Sequence, residues 1–256
     1  MTEQIQTPPT HFDVQKHFGP FFANVSLADD MTEALIKMTD KIIDDKKSES
    51  HGQNLAGVIE KELRIYKSDM NDFGVEQMIE SCVRSYVIHC AKLHQMFNET
   101  WTYESYLNSA WVVSQHENEY NPLHNHTGCD ISGVIYLKTP DVKGRRNFDS
   151  KKGKYDNDGD ITFVHSATGN RHFDIFEKGV MTTSPQPGMM VMFPSYLLHT
   201  VWPFIGEGER RCIAFNAVYN IHDDKNHFIA GNLSGIKNPT FYTHEKGKNW
   251  NYVEPA

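Results

Sequence analysis

From Asp30 onward the apolar residues Met31, Leu35, Met38 and Ile42 recur at steps of three and four, the spacing of one buried helix face. Asp30 and Glu33 at its start read as a capping box, and the helix is expected to run out in the charged stretch Asp44 to Ser50. A longer helix is expected from about Asp72 to Phe97, where Val75, Ile79, Cys82, Tyr86, Cys90, Leu93 and Phe97 follow the same rhythm. His89 and His94 on or beside it are read as satisfied or solvent-facing. After Trp101 the texture changes to short β-branched and aromatic runs broken by Gly, Pro, Asn and Asp, the pattern of a sandwich or barrel. The expected strands are 110–115, 131–138, 161–165, 189–193 and 211–219. Between them, 141–183 is long, polar and poor in aliphatics, and is expected to be a lid or a set of small hairpins. Asp156-Asn157-Asp158-Gly159-Asp160 imitates a calcium loop, but Ile161 follows where further ligands are needed, so it is read as a turn. The two helices are expected to buttress the sheet.

Length and composition are those of one domain with one substantial core: 256 residues, 39% of them hydrophobic. Within it, 1–100 is expected to carry an N-terminal strand and the helices, 101–220 the β core, and 221–256 a C-terminal extension. A formal charge of −8 argues against broad nucleic-acid binding, which needs a basic face to displace counterions. Met1 to Thr10 lacks the regions of a signal peptide, and no apolar run approaches the ~20 residues that span a bilayer. A cytoplasmic protein with no membrane partner is therefore expected. Cys82, Cys90, Cys129 and Cys212 form no CxxC pair and are expected to be reduced. The sequons at Asn98 and Asn125 are read as accidental.

The candidate chemistry lies in Pro122-Leu123-His124-Asn125-His126-Thr127-Gly128-Cys129-Asp130 and a distant His199. Histidines at i and i+2 on an extended segment project to the same side, so His124 and His126 can converge on one metal ion. One ligand from a distant strand would close a facial set that leaves positions open, an arrangement suited to an enzyme rather than a structural clamp.

The string from Pro187 to Val201, with Pro187-Gly188, Met189-Met190-Val191-Met192-Phe193, Pro194 and then His199, resembles the second half of the double-stranded β-helix of 2-oxoglutarate-dependent iron(II) oxygenases. Ser132-Gly133-Val134-Ile135-Tyr136-Leu137 and Arg210-Arg211-Cys212-Ile213-Ala214-Phe215-Asn216 extend the resemblance over about Trp111 to Asn216. It is nearest to an uncharacterised bacterial and phage branch beside the prolyl-4-hydroxylase-like group. The resemblance implies a mainly β chain with flanking helices, a jelly-roll core buttressed by the N-terminal helices. It also implies a hydroxylase that uses iron(II), 2-oxoglutarate and dioxygen on an unidentified primary substrate. His124 would be the first iron ligand and His199 the distal one. Arg210, eleven residues past His199, would grip the far carboxylate of 2-oxoglutarate, since a guanidinium binds a carboxylate through a planar fork at any working pH.

Arg211 is the neighbouring competitor, but Arg210, Cys212, Ala214 and Asn216 share one strand face. Cys212 stands where the family has serine, Tyr136 would offer its phenol to the same carboxylate, and Asn216 would orient a ligand or bind in the pocket. Trp202 and Phe204 would wall the pocket. His126 departs from the family's usual His-x-Asp or His-x-Glu. Three completions stay open: a centre of His124, His126 and His199; a triad completed by Asp130; or a position filled by water or an anion. A cupin-type metalloenzyme that does not use 2-oxoglutarate is the first alternative, because His124-x-His126 followed by Asp130 imitates a cupin motif. A non-catalytic anion-binding β-helix is the second.

Overall fold

The computed structural model describes residues 11–15, 19–52, 55–71, 74–142, 157–165 and 179–231. Among them the chain runs β1 (His11–Gln15), β2 (Phe22–Ser26), α1 (Asp29–Asp44), β3 (Lys61–Arg64), α2 (Lys67–Asn71) and α3 (Val75–Leu93). There follow β4 (Thr102–Gln115), β5 (Asn121–His124), β6 (Ile131–Lys138), β7 (Asp141–Val142), β8 (Ile161–Val164) and β9 (Val180–Thr183). The last elements are β10 (Met189–Pro194), β11 (Leu198–Val201), β12 (Gly206–Glu207), β13 (Arg210–His222) and β14 (Phe228–Gly231).

The larger sheet has the order β1-β2-β10-β6-β13-β4-β3, with β14 beside β13, and the smaller the order β5-β11-β8-β9. Their inner faces close on a cluster that includes Trp111, Tyr136, Phe163, Val191, Phe193 and Val201. This is the expected double-stranded β-helix. The outer face of the larger sheet carries a second cluster, where Ile135, Leu137, Met190, Met192, Ile213 and Phe215 meet the helices. Side chains alternate across a strand, so a sheet buried on both faces needs apolar residues at odd and even positions alike. That requirement explains the unbroken apolar run Met189 to Phe193. Ile135 and Leu137 turn away from the pocket onto the helix layer, where they are 0% and 1% exposed. Gly133 pairs with Phe215 across β6 and β13. A Cβ at Gly133 would lie 2.2 Å from the Phe215 ring, so only glycine lets the phenyl ring lie across β6.

Helix α1 buries Met31, Leu35, Met38 and Ile42 as their spacing predicts. Its start differs from the expected capping box: the N-cap is Ala28, without a side-chain cap, and Asp30 Oδ1 accepts instead from the Met31 N–H at 2.8 Å. Asp29 and Asp30 then sit in the first turn, where carboxylates complement the helix dipole. Helix α3 buries Val75, Ile79, Cys82 and Tyr86 but ends at Leu93, and Leu93 and Phe97 are exposed. The apolar rhythm overran the helix there. Phe97 stacks on Tyr103 with ring centroids 5.6 Å apart instead of joining the core. Residues 72–73 of the expected helix lie outside the described residues, as do 143–156 and 166–178 of the lid-or-hairpin segment and 232–256 of the expected C-terminal extension. The described parts of 141–183 include the strands β7, β8 and β9, β8 pairing with β9 and β7 with β12, and a turn at 157–160.

Arg211 ties the sheet to α1. Its guanidinium donates to both Glu209 carboxylate oxygens at 2.7 and 2.8 Å and to Asp40, while it is itself buried. The arginine holds the carboxyls of Asp40 and Glu209 below their usual values. Carboxyls depressed in the folded state add stability above their unfolded pKa, and that stability is lost as pH falls through the depressed values. Arg211→Ala is therefore expected to cost about 2 kcal/mol in urea unfolding at pH 7, less than a fully buried pair because Asp40 and Glu209 can rehydrate. The difference from wild type should shrink below about pH 4, near the unfolded carboxylate range. A variant as stable as wild type at pH 7 would refute the anchoring role.

Candidate metal centre

The strands of the smaller sheet set the three histidines. His124 on β5 and His199 on β11 are direct cross-strand partners, so their side chains leave the same face, with ring centroids 4.2 Å apart. His126 follows just past the end of β5, where its N–H donates to Ser195 O at 3.0 Å. Its ring lies 5.3 Å from that of His124 and 5.1 Å from that of His199. One potential ligand atom from each histidine falls within 4.8 Å of the others.

The hydrogen bonds define which atoms those are. Nδ1 of His124 contacts Pro122 O at 2.6 Å, Nδ1 of His126 contacts Asn216 Oδ1 at 2.7 Å, and Nδ1 of His199 contacts Leu197 O at 2.9 Å. Carbonyl oxygens only accept, so each Nδ1 carries the proton and each Nε2 keeps its lone pair for a metal. Burial pushes all three imidazoles down, His126 to about 4, which keeps them neutral. Phe193 and Phe163 pack against His199 with centroids 4.9 and 5.9 Å away, and Trp111 stacks on His126 at 5.9 Å. The rings are thus wedged as well as hydrogen-bonded.

Asp130, weighed as the alternative third ligand, is placed elsewhere. Its Oδ2 accepts from the Tyr219 N–H at 3.2 Å. It lines a separate cavity of about 530 Å³ together with Tyr86, Cys90 and Tyr219. The turn at Gly128, with φ +73°, carries the chain past the metal side. The carboxylate therefore serves the β13 backbone, and the acid that a cupin reading requires is missing from the cluster. Asn216, expected in the pocket as a ligand orienter or binder, accepts from Ser132 Oγ at 3.0 Å as well as from His126. It positions an imidazole.

The cavity bounded by the histidines is also lined by Arg210, Cys212 and Ala214 of β13 and by Ser132 and Val134 of β6. Arg210 is 1% exposed. Its Nε donates to Gly159 O at 2.9 Å and its Nη1 faces Cys212 Sγ at 3.7 Å. Gly159 belongs to the turn after residue 156, so the stretch that imitates a calcium loop instead braces the arginine. The guanidinium carbon lies 5.1 Å from the Tyr136 ring centre. Arg210 Nη2 and the Tyr136 hydroxyl are both buried and have no hydrogen-bond partner. Of the two, Arg210 lines the cavity, where a donor left without a partner is costly and an acceptor would relieve it. A carboxylate fits that demand. Arg211 faces the opposite side, in the helix anchor. Trp202, half-exposed, donates from Nε1 to Thr162 Oγ1 at 2.8 Å, and Phe204 is buried beside Gly159; neither lines the cavity.

Several lining residues had no sequence signal. Glu62 of β3, Asn121 and Leu55 belong to the same cavity wall, and His51 stacks on Trp111 at 4.8 Å. Nothing in the order Lys61-Glu62-Leu63-Arg64 marks β3 as a cavity wall. Its inward face exists only because β3 pairs with β4, some fifty residues later.

Three neutral imidazoles converging inside a jelly roll, in a small cavity of about 40 Å³ that a buried arginine also lines, could hold a single metal ion. Residues 109–216 match a family described as "Putative 2OG-Fe(II) oxygenase". Among solved structures the chain is similar to a prolyl hydroxylase from Trichoplax adhaerens in complex with a hypoxia inducible factor peptide fragment. The two share 13% identity over 80% of this chain and 82% of that one, with TM-score 0.47. A prolyl-4-hydroxylase from Pseudomonas putida is 15% identical over 81% and 93%, with TM-score 0.46. HygX from Streptomyces hygroscopicus, with nickel and 2-oxoglutarate bound, is 12% identical over 78% and 83%, with TM-score 0.44. No curated protein matches the sequence.

Proposed function

We propose that the protein is an iron(II)- and 2-oxoglutarate-dependent dioxygenase that hydroxylates a protein side chain or small molecule and releases succinate and CO2. The observation that carries the assignment of roles is the pairing of three convergent Nε2 lone pairs with the unpartnered Nη2 of Arg210. His124, His126 and His199 hold the ion, and their fixed Nδ1 protons keep the rings from turning. Arg210, braced by Gly159 O, presents Nη2 to the far carboxylate of 2-oxoglutarate, and the Tyr136 hydroxyl is the second donor to it. Cys212 Sγ takes the place of the family's serine and gives only a weak contact. Asn216 acts through His126 by fixing its ring. Iron with bound co-substrate and dioxygen supplies the oxidising chemistry that no side chain here can. Phe163 and Phe193 keep the surroundings dry, which strengthens each charge contact.

No carboxylate belongs to the cluster among the described residues, so the ligand set leaves the ferrous charge unreduced and favours a dianionic co-substrate. A cytoplasmic site of action is part of the same reading, supported by the four free cysteines. Among the described residues no helix is long and apolar enough to cross a membrane.

The test is anaerobic addition of iron(II) and 2-oxoglutarate to the full chain. A weak visible charge-transfer band is expected, and admission of air should convert 2-oxoglutarate to succinate. A protein that takes up no iron and shows no band would overturn the assignment at its root.

A further inference from the structure

On the wall of the cavity away from β6, the inner face of β3 carries a carboxylate that the proposed metal and co-substrate chemistry does not use. Glu62 is 2% exposed and lines the same cavity as the three histidines. Its Oε1 is buried and has no hydrogen-bond partner. The sheet register fixes its level: Glu62 pairs with Val113, Val113 with Cys212, and Cys212 with Tyr136. Glu62 therefore stands in one lateral row with the co-substrate residues, two strands from β13. The segment 55–58 passes beside it, Val58 bridging to Tyr120. A Cβ built at Gly57 would lie 1.9 Å from Asn121 Oδ1 and 3.5 Å from Glu62 Oε1. The missing side chain at Gly57 makes room for the Asn121 amide, which packs there beside the carboxylate.

A buried carboxyl with one unfilled oxygen needs a donor, and a charged one needs a cation. Asn121 supplies one neutral donor to the side chain, and no cation is among the groups that act on it. Burial pushes Glu62 up to about 7 and the like charge of Glu119 adds to the shift, while the neutral hydrogen bond from Asn121 pulls the other way without matching it. His51, whose backbone N–H donates to Glu62 O at 2.7 Å, is pushed down to about 4 by burial and supplies no counter-charge. A dianionic co-substrate in the same row would make a nearby anion still less favourable. A positively charged group arriving with the second substrate would offset both.

We propose that Glu62 is the specificity-determining residue for the primary substrate, and that it receives a cationic nitrogen, an ammonium or guanidinium group, on Oε1. This rests on the oxygenase reading above. The substrate then lies with its charged nitrogen on β3 and its carbon chain towards the histidines. The β3 wall and Arg210 divide the work: one holds the substrate's cation and the other the co-substrate's anion.

Matched probes test it: N-acetyl-L-lysinamide and N-acetyl-L-norleucinamide, which differ at the charged nitrogen. Each is titrated calorimetrically into the full chain loaded anaerobically with iron(II) and 2-oxoglutarate. The lysine probe is expected to bind about 10-fold or more tighter to wild type, the worth of one charge-assisted contact. Glu62→Gln, which keeps the shape, should bring the two probes to within about twofold while leaving the 2-oxoglutarate half-saturation of the charge-transfer band unchanged. Equal binding of the probes by wild type, including no binding of either, overturns the proposal without need of the variant. So does a preference that survives in Glu62→Gln. Absence of the band itself would instead sink the oxygenase reading.

Discussion

His199→Ala is expected to abolish both the charge-transfer band and detectable iron(II) uptake. His199 is 4% exposed, paired with His124 across β5 and β11, and wedged between Phe163 and Phe193. No other described His, Cys, Asp or Glu joins the cluster, so nothing replaces the lost lone pair. The fall in iron affinity should exceed about 100-fold, beyond the ~10–100-fold typical when only a ligand's hydrogen-bond partner is removed. His126→Ala should come next, with a smaller loss. Asp130→Asn should leave affinity within about twofold, because its carboxylate serves the Tyr219 N–H on the far side of the sheet. Equilibrium dialysis with iron(II) under nitrogen reads all three. A centre that binds iron normally without His199, or fails without the Asp130 carboxylate, would show that the three-imidazole assignment is wrong.

Arg210→Met should raise the 2-oxoglutarate concentration for half-saturation by about 100-fold, on the order of 3 kcal/mol for a buried charge-assisted carboxylate contact. Methionine keeps much of the volume, so the cavity is not simply collapsed. The same substitution should not lower the thermal stability of the protein without co-substrate, since it removes a buried guanidinium whose Nη2 is unpaired. Arg211→Ala is the mirror case: it loses stability through Glu209 and Asp40 and leaves co-substrate affinity nearly unchanged. Titrating the band at 2-oxoglutarate concentrations across four decades separates the two. A reversal of the pattern would mean that the co-substrate face of β13 has been taken one residue out of register.

How much of this was legible in the chain depended on how local the cause was. The apolar face of α1 and the runs of β6, β10 and β13 were readable because side-chain direction repeats every 3.6 or every 2 residues, whatever the partner. His124 and His126 were legible for the same reason, being two residues apart on extended chain. Assigning Arg210 rather than Arg211 to the pocket needed only strand parity once the family resemblance gave the strand. Where local pattern misled, a tertiary limit had intervened. Leu93 and Phe97 continue the α3 rhythm but lie in the open, and Ala28 rather than Asp30 caps α1.

The sequence by itself determined α1, most of α3, the strands β4, β6, β8, β10 and β13 in outline, and the candidate ligands His124, His126 and His199. These follow from residue type and short-range spacing. Only the tertiary structure brings His126 rather than Asp130 beside His124 and His199, because both are a few residues from His124 and their placement rests on a turn at Gly128 and on where Asn216 and Tyr219 arrive from β13. Only it made Glu62 a buried group in the wall of the cavity, since that position exists through pairing of β3 with a strand some fifty residues away. Hydrogen bonds between distant strands carry no periodic trace in either strand alone, so the polar details of the centre appear only once the sheets have closed.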